Sequence, residues 1–131
     1  MNDFKPAGWP TVTPRLLAND VPKFVQFLKD AFEATGDVKP DMPTQIRIGE
    51  SLLMVSGTDV REPMTAFLYV YVNDTDKTYS RAVSAGAESI EEPRDTPYGD
   101  RRAMVRDLAG NIWQIATHKR EAFEKFMREH S

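Results

Sequence analysis

From Ala66 to Val72 the run Ala-Phe-Leu-Tyr-Val-Tyr-Val sets rings and aliphatic side chains at alternate positions. β-Branched and aromatic residues fit a pleated, half-buried surface, so this stretch predicts a strand. Alternation sends Phe67, Tyr69 and Tyr71 to one face and Leu68, Val70 and Val72 to the other. A different period governs Phe24, Phe27, Leu28, Ala31 and Phe32, which recur at i, i+3, i+4, i+7 and i+8 as one stripe of a helix. Asn19-Asp20 supplies its N-cap, Pro22 is tolerated in its first turn, and Gly36 is the expected stop. Before it, residues 1 to 11 read as an irregular lead-in in which Trp9 is expected to pack. Thr11 to Ala18 then reads as a strand, with Pro14 at an edge or ladder-free position. After it come short strands at 36–39, Gln45 to Ile48 and Leu52 to Ser56, then a linker over 57–65. A second helix opens at Asn73-Asp74, with Tyr79, Ala82, Val83 and Gly86 on one face. Ser89 to Glu91 predicts a short strand, followed by a proline-containing loop through Gly99. The chain closes on a hairpin: Ala103 to Arg106, a turn at Asp107 to Gly110, and Asn111 to Thr117. Gly110 suits a positive φ, and Asp107 can hydrogen-bond the turn backbone. A tail helix over Glu121 to Glu129 presents Phe123, Phe126 and Met127.

The pattern is β-α-β-β-β, twice. Asn19-Asp20 and Asn73-Asp74 each close an apolar strand and open a helix, and Lys23 and Lys77 follow at the same offset, which marks an internal repeat. Composition narrows the setting. A chain of 131 residues suffices for one compact domain, read as 1–131. Its boundaries are module one at about 11–57, linker at about 58–65, module two at about 66–118 and C-terminal helix at about 119–130. With no cysteine there is no disulfide or thiolate chemistry, which fits a reducing cytosol. The N-terminus has no apolar core of a signal peptide, and no run approaches the roughly 18 apolar residues of a membrane span. The expected location is therefore cytoplasmic, away from membranes. Lys and Arg are scattered, and the net charge is −3, which argues against a nucleic-acid partner.

Several local signatures occur in order: the strand-to-helix Asn-Asp turn, Ala82-Val-Ser-Ala-Gly-Ala87, Gly99-Asp-Arg101 and Arg106-Asp-Leu-Ala-Gly-Asn-Ile-Trp-Gln-Ile-Ala-Thr-His118. Together they resemble the vicinal-oxygen-chelate superfamily of glyoxalases, bleomycin-resistance proteins and extradiol dioxygenases, and within it the PhnB-like branch. The ending Asp107, Gly110, Trp113, Thr117, His118 carries that last likeness, and the resemblance covers roughly residues 11 to 118. It implies an α+β fold in which two βαβββ modules form an eight-stranded, incompletely closed barrel around a cleft, with helices outside. It also implies a homodimer.

Enzymes of the superfamily hold a divalent metal with His or Glu at four strand positions. Carried over by motif, these are Thr13, Met54, Phe67 and Gln114, with the register of Met54 left open. A phenyl ring, a thioether, a hydroxyl and a neutral amide do not make that site, and the only histidines are His118 and His130. The expectation is a cleft without metal or other cofactor. Alternation places Thr13, Arg15 and Leu17 inward, with Phe67, Tyr69 and Tyr71 from the fifth strand and Ile112, Gln114 and Ala116 from the last. The expected ligand contacts are Thr13, Arg15, Met54, Phe67, Tyr69, Tyr71 and Gln114. Rings plus a few directional polar groups describe a small-molecule site. Arg15 indicates an anionic or carbonyl ligand, or else a salt bridge to a nearby acid. The tyrosines either bind ligand or fill the barrel, and Tyr98 is a lid aromatic or a loop anchor. Trp113 is read as core, Asp100 as an ion-pair partner of Arg101 or Arg102, and His118 as a surface residue. No inward His, Asp or Glu is expected, hence no general base. The resulting expectation is a metal-independent small-molecule binding protein for an aromatic or anionic ligand. The alternatives are a glyoxalase-like or dioxygenase-like enzyme acting on a small carbonyl or aromatic substrate, and a scaffold with a filled cleft.

Overall fold

The computed structural model describes residues 4–59 and 61–131. The chain divides into two compact units, Met1–Met64 and Thr65–Ser131. Among the described residues seven strands form two sheets, one of three and one of four strands.

In the first unit, β1 (Arg15–Ala18) runs parallel to β3 (Ser51–Gly57), and β2 (Thr44–Ile48) lies antiparallel on the other side of β3. Helix α1 (Val21–Phe32) buries Phe24, Val25, Phe27, Leu28, Ala31 and Phe32, the stripe expected from its period. The Asp20 carboxylate accepts from the Lys23 amide at 3.1 Å, the anticipated N-cap. The helix ends at Phe32, four residues before Gly36: Glu33 takes the left-handed conformation at φ 58, its N–H returns to the Lys29 carbonyl, and the Ala34 N–H to that of Leu28. Gly36 has a different task. A Cβ there would meet the Gln45 carbonyl oxygen at 2.3 Å, so the residue is small because β2 passes against it.

The strand expected at 36–39 does not form. Thr35 makes a single bridge to Arg47. Beyond it Pro40 and Pro43 remove two ladder donors, and the Lys39 amide turns to the Thr44 hydroxyl at 3.2 Å. The expected eight strands are thus corrected to seven. β1 is also shorter than expected, beginning after Pro14, whose carbonyl accepts from the Met54 amide. Trp9 is half-buried.

In the second unit the sheet order is β4-β7-β6-β5. These strands are Phe67–Tyr71 (β4), Glu88–Asp95 (β5), Asp100–Arg106 (β6) and Ile112–His118 (β7). β4 runs parallel to β7; β6 is antiparallel to both its neighbours. β5 is longer than expected and includes Pro93, because it is an edge strand whose ladder shifts register between Ser89 and Glu91 and again before Arg94. Such bulges tolerate a residue without an N–H. Helix α2 (Thr75–Ser84) is capped by Asp74, which accepts from the Lys77 amide at 3.1 Å. The face behind the sheet carries Trp113, Ile115, Ala103 and Val105, all buried, so Trp113 is the core residue its position indicated.

The β6–β7 turn is built around Asp107. Its Oδ1 accepts from the amides of Ala109 (2.8 Å) and Asn111 (2.9 Å), and its Oδ2 from Trp113 Nε1 at 2.7 Å and Asn111 Nδ2 at 3.0 Å. Asn111 Oδ1 in turn accepts from the Ala66 amide, which brings the chain into β4. This turn fixes the hairpin register: Arg106 faces Ile112, Met104 faces Gln114, and Asp100 faces His118. Helix α3 (Arg120–Glu129) follows β7 directly and has no buried residue. Among the described residues no helix is long and apolar enough to cross a membrane.

Candidate functional site: an aromatic face over a buried aspartate

Directly paired residues on neighbouring strands project to the same side of a sheet. In the second unit this gathers Phe67, Tyr69 and Tyr71 of β4 beside Ile112, Gln114 and Ala116 of β7. Beyond β7 lie Arg102 and Met104 of β6, and Glu91 of β5 opposite Met104. Phe67 and Tyr71 are 67% and 63% exposed. Rings this exposed are not part of the core.

The hydroxyl ends of the two tyrosines converge. Tyr69 Oη donates to Asp100 Oδ2 at 2.5 Å, and Tyr71 Oη donates to the same oxygen at 3.0 Å. Their ring centroids lie 5.3 Å apart at 57°. Asp100 is only 4% exposed. It is held by the Thr96 hydroxyl, which accepts from the Asp100 amide and donates to its carbonyl. Its second oxygen, Oδ1, lies 3.5 Å from His118 Nδ1, and the His118 ring is packed edge-on against Phe123 of α3 at 5.1 Å. Burial, and then the bond to Asp100, push the Tyr69 phenol far above the ordinary tyrosine range; the Tyr98 hydroxyl adds to this. Tyr71 is raised for the same two leading reasons. Both therefore stay protonated and act as fixed donors to the carboxylate.

A second polar group adjoins the first. Arg102 Nε donates to Glu91 Oε1 at 3.1 Å, and its Nη1 donates to Tyr98 Oη at 2.9 Å. The Tyr98 side chain also hydrogen-bonds Tyr69. One connected path thus runs from Glu91 through Arg102, Tyr98 and Tyr69 to Asp100 and His118.

Here the sequence reading needs correcting. Asp100 does not pair with Arg101 or Arg102. Strand alternation sends Arg101 to the helix side, where it binds Asp76 in the first turn of α2 at 2.7 Å and Asp95 at 3.2 Å. Arg102 is engaged by Glu91. Acidic and imidazole side chains do stand on the aromatic face: Asp100, Glu91 and His118. The signal was present. Counting back from the Asp107–Asn111 turn sets Asp100 across from His118, one pair beyond the end of β4. Tyr98, bonded to Arg102 and Tyr69, is an anchor of this network.

Of the seven expected contacts, the structure brings Phe67, Tyr69, Tyr71 and Gln114 together in the second sheet. Thr13, Arg15 and Met54 belong to the first unit. Arg15 and Met54 are paired across β1 and β3, which fixes the register of Met54, and Thr13 lies half-buried two residues before β1. Arg15 is exposed, and its Nε donates to Ser56 Oγ at 2.8 Å within the first unit. Thr13, Met54, Phe67 and Gln114, the positions that the resemblance assigns to metal ligands, carry a hydroxyl, a thioether, a phenyl ring and a neutral amide, side chains that are poor ligands for a divalent cation. Among the described residues no group of three or more His, Cys, Asp or Glu could hold a metal ion.

Comparison with known proteins agrees with this architecture. The model of the Glyoxalase/Bleomycin resistance protein/Dioxygenase superfamily matches residues 11–115. The uncharacterized protein Mb0911c of Mycobacterium bovis is 28% identical, covering 86% of this chain and 86% of its own length. Among solved structures, TioX from Micromonospora sp. ML1 is similar with a TM-score of 0.72 at 24% identity, covering 83% of this chain and 98% of that one. A glyoxalase/bleomycin resistance protein/dioxygenase family enzyme from Burkholderia phytofirmans PsJN gives a TM-score of 0.70 at 18% identity, covering 79% and 94%. At these identities the structural likeness is one of fold.

Proposed function

Because this chain belongs to the glyoxalase/bleomycin resistance protein/dioxygenase superfamily, we propose that it is a metal-independent binding protein for a small aromatic molecule. The observation that carries the reading is the open row of rings, Phe67, Tyr69 and Tyr71, on one face of the second sheet. The hydroxyls of Tyr69 and Tyr71 are already fixed on Asp100. Such rings offer stacking surface with little conformational freedom left to lose on binding. Gln114, directly beside Tyr69, supplies an amide for orientation, as in most small-molecule sites. Thr13, Arg15 and Met54 are proposed as further contacts from the first unit; an anionic ligand would depend on Arg15. Metal independence rests on the chemistry of the donor set.

The test is a binding screen with aromatic compounds, read by intrinsic fluorescence and repeated with chelator. Tyr71→Leu should weaken the best ligand by about tenfold, the ~1.4 kcal/mol expected for one lost stacking partner. Affinity that survives Tyr71→Leu and Phe67→Leu together, or that vanishes with chelator, refutes the proposal. A second reading is favoured by one observation, the half-exposed His118 beside the buried Asp100. A carboxylate of this kind orients an imidazole for proton transfer, which would make the same face an enzyme site for a small carbonyl or aromatic substrate. Turnover abolished by His118→Gln, with binding retained, would distinguish it.

A further inference from the structure

We infer that the aromatic face selects a flat aromatic cation over neutral and anionic aromatics of the same size. The inference rests on the aromatic-ligand reading above and names its ligand class.

Tyr69 and Tyr71 both donate to Asp100 Oδ2. Both phenol protons point into the protein network, so these two hydroxyl oxygens can offer a ligand only lone pairs. The same holds for the cations nearby. Arg102 is engaged by Glu91 and Tyr98, Arg94 lies 3.7 Å from Glu91, and Arg106 is paired with Glu88. Arg102 and Arg94 share Glu91, and Arg106 has Glu88, so each guanidinium has a carboxylate within reach. Among the described residues Asp100 has no guanidinium partner; its side-chain neighbours are two phenols and His118. When His118 is neutral, Asp100 is a buried negative charge with no cation directly paired to it among the described residues.

Two effects then favour a positive ligand. A phenol donating to a carboxylate gains electron density on its ring, which deepens the negative face seen by a cation. The carboxylate is screened from water, so its field reaches the ring surface more strongly than a solvated charge would. An anion meets the reverse on both counts, and finds outward lone pairs where it needs donors. His118 sets the condition: once protonated it places a positive charge beside Asp100, and the preference should shrink. The other titratable groups on this face are Glu88, Glu91, Tyr69, Tyr71 and Tyr98, and its fixed cations are the three arginines named above.

The experiment compares N-methylisoquinolinium, isoquinoline and 2-naphthoate by calorimetry with the full chain at pH 8, where isoquinoline is neutral. The cation should bind about tenfold more tightly than isoquinoline, the upper part of the range for a cation–π contact, and more tightly still than 2-naphthoate. Asp100→Asn should reduce the preference to about threefold or less, with the fold checked by circular dichroism. Tyr71→Phe, which keeps the ring and cannot unfold the core, should retain most of it, and Tyr71→Leu should lose it. If the three compounds bind equally, or 2-naphthoate binds best, and Tyr71→Leu weakens them, the aromatic-ligand reading stands and the cation inference is overturned. If none binds, both fall.

Discussion

Removing the Asp107 carboxylate is the sharpest test of how the hairpin that carries this face is held. In the folded chain it accepts from the amides of Ala109 and Asn111, from Asn111 Nδ2 and from Trp113 Nε1. Asp107, Asn111 and Trp113 are all buried. Asp107→Ala takes the charged acceptor away from three buried donors at once. Stranding a buried donor costs roughly 1–3 kcal/mol each, with partial relief where water can follow into the space left. The expected loss is therefore about 3–5 kcal/mol, a large share of the roughly 5–15 kcal/mol that stabilises a small domain. Asp107→Asn is nearly isosteric but should still cost about 2–4 kcal/mol, because one carboxylate oxygen becomes an NH2 facing other N–H groups. The assay is urea unfolding in a Trp9→Phe background, so that Trp113, the other of the two tryptophans, alone reports on the second unit. Asp107→Ala with Trp113→Phe, each unfolding followed by circular dichroism so that no tryptophan is needed, closes a double-mutant cycle whose coupling should be about 1–2 kcal/mol. A loss below ~1 kcal/mol for Asp107→Ala, or no coupling, would refute the claim that this carboxylate fixes the turn.

Alkaline titration tests the tyrosine pair. Both phenols have pKa values raised in the fold, so their contribution is complete below the unfolded tyrosine value of about 10 and is lost as pH rises through the folded values. The ultraviolet phenolate signal of Tyr69 and Tyr71 should lag behind free tyrosine, and Asp100→Asn should bring it back toward it. Gly99→Ala should cost about 1–3 kcal/mol of stability, because φ is +96° and a Cβ would sit 2.5 Å from the Phe123 nitrogen; urea unfolding shows it as a lowered midpoint. Asp74→Ala should lower the stability of the second unit by about 1 kcal/mol, the ordinary value of an N-cap, read as a lower urea midpoint at unchanged m.

The helices were legible because their signals are local. The Phe24-to-Phe32 stripe and the two Asn-Asp caps needed no partner to be read, and alternation in β4 separated rings from aliphatics correctly. The losses came where a residue's role depends on what stands opposite. Gly36 looked like a helix stop because glycine often is one, but its reason is the Gln45 carbonyl of another strand. Residues 36–39 resembled a strand until Pro40 and Pro43 are weighed against the donors a ladder requires. Asp100 was misread because its sequence neighbours, Arg101 and Arg102, suggested ion pairs. In a strand adjacent residues point apart, and cross-strand partners decide. Arg15 shows the same limit, since Ser56, 41 positions away, takes the hydrogen bond that sequence could only assign to a ligand or an acid.

The parallel pairing of β4 with β7 has a consequence for the order in which this face comes into being. The β6–β7 hairpin closes over a five-residue turn, Asp107 to Asn111, and such local structure forms in about 1–10 μs. Asp100 and His118 meet in that step. Tyr69, by contrast, reaches Gln114 only when the chain from β4 to β7 has been looped and α2 laid across it, a non-local closure that is slower for entropic reasons. The tyrosine hydroxyls can dock on Asp100 only at that stage. In a stopped-flow refolding experiment, the tyrosine signal that depends on Asp100 should therefore belong to the last phase of the second unit, after the Trp113 environment has begun to form. The pair that marks the surface of the site also marks the completion of its sheet.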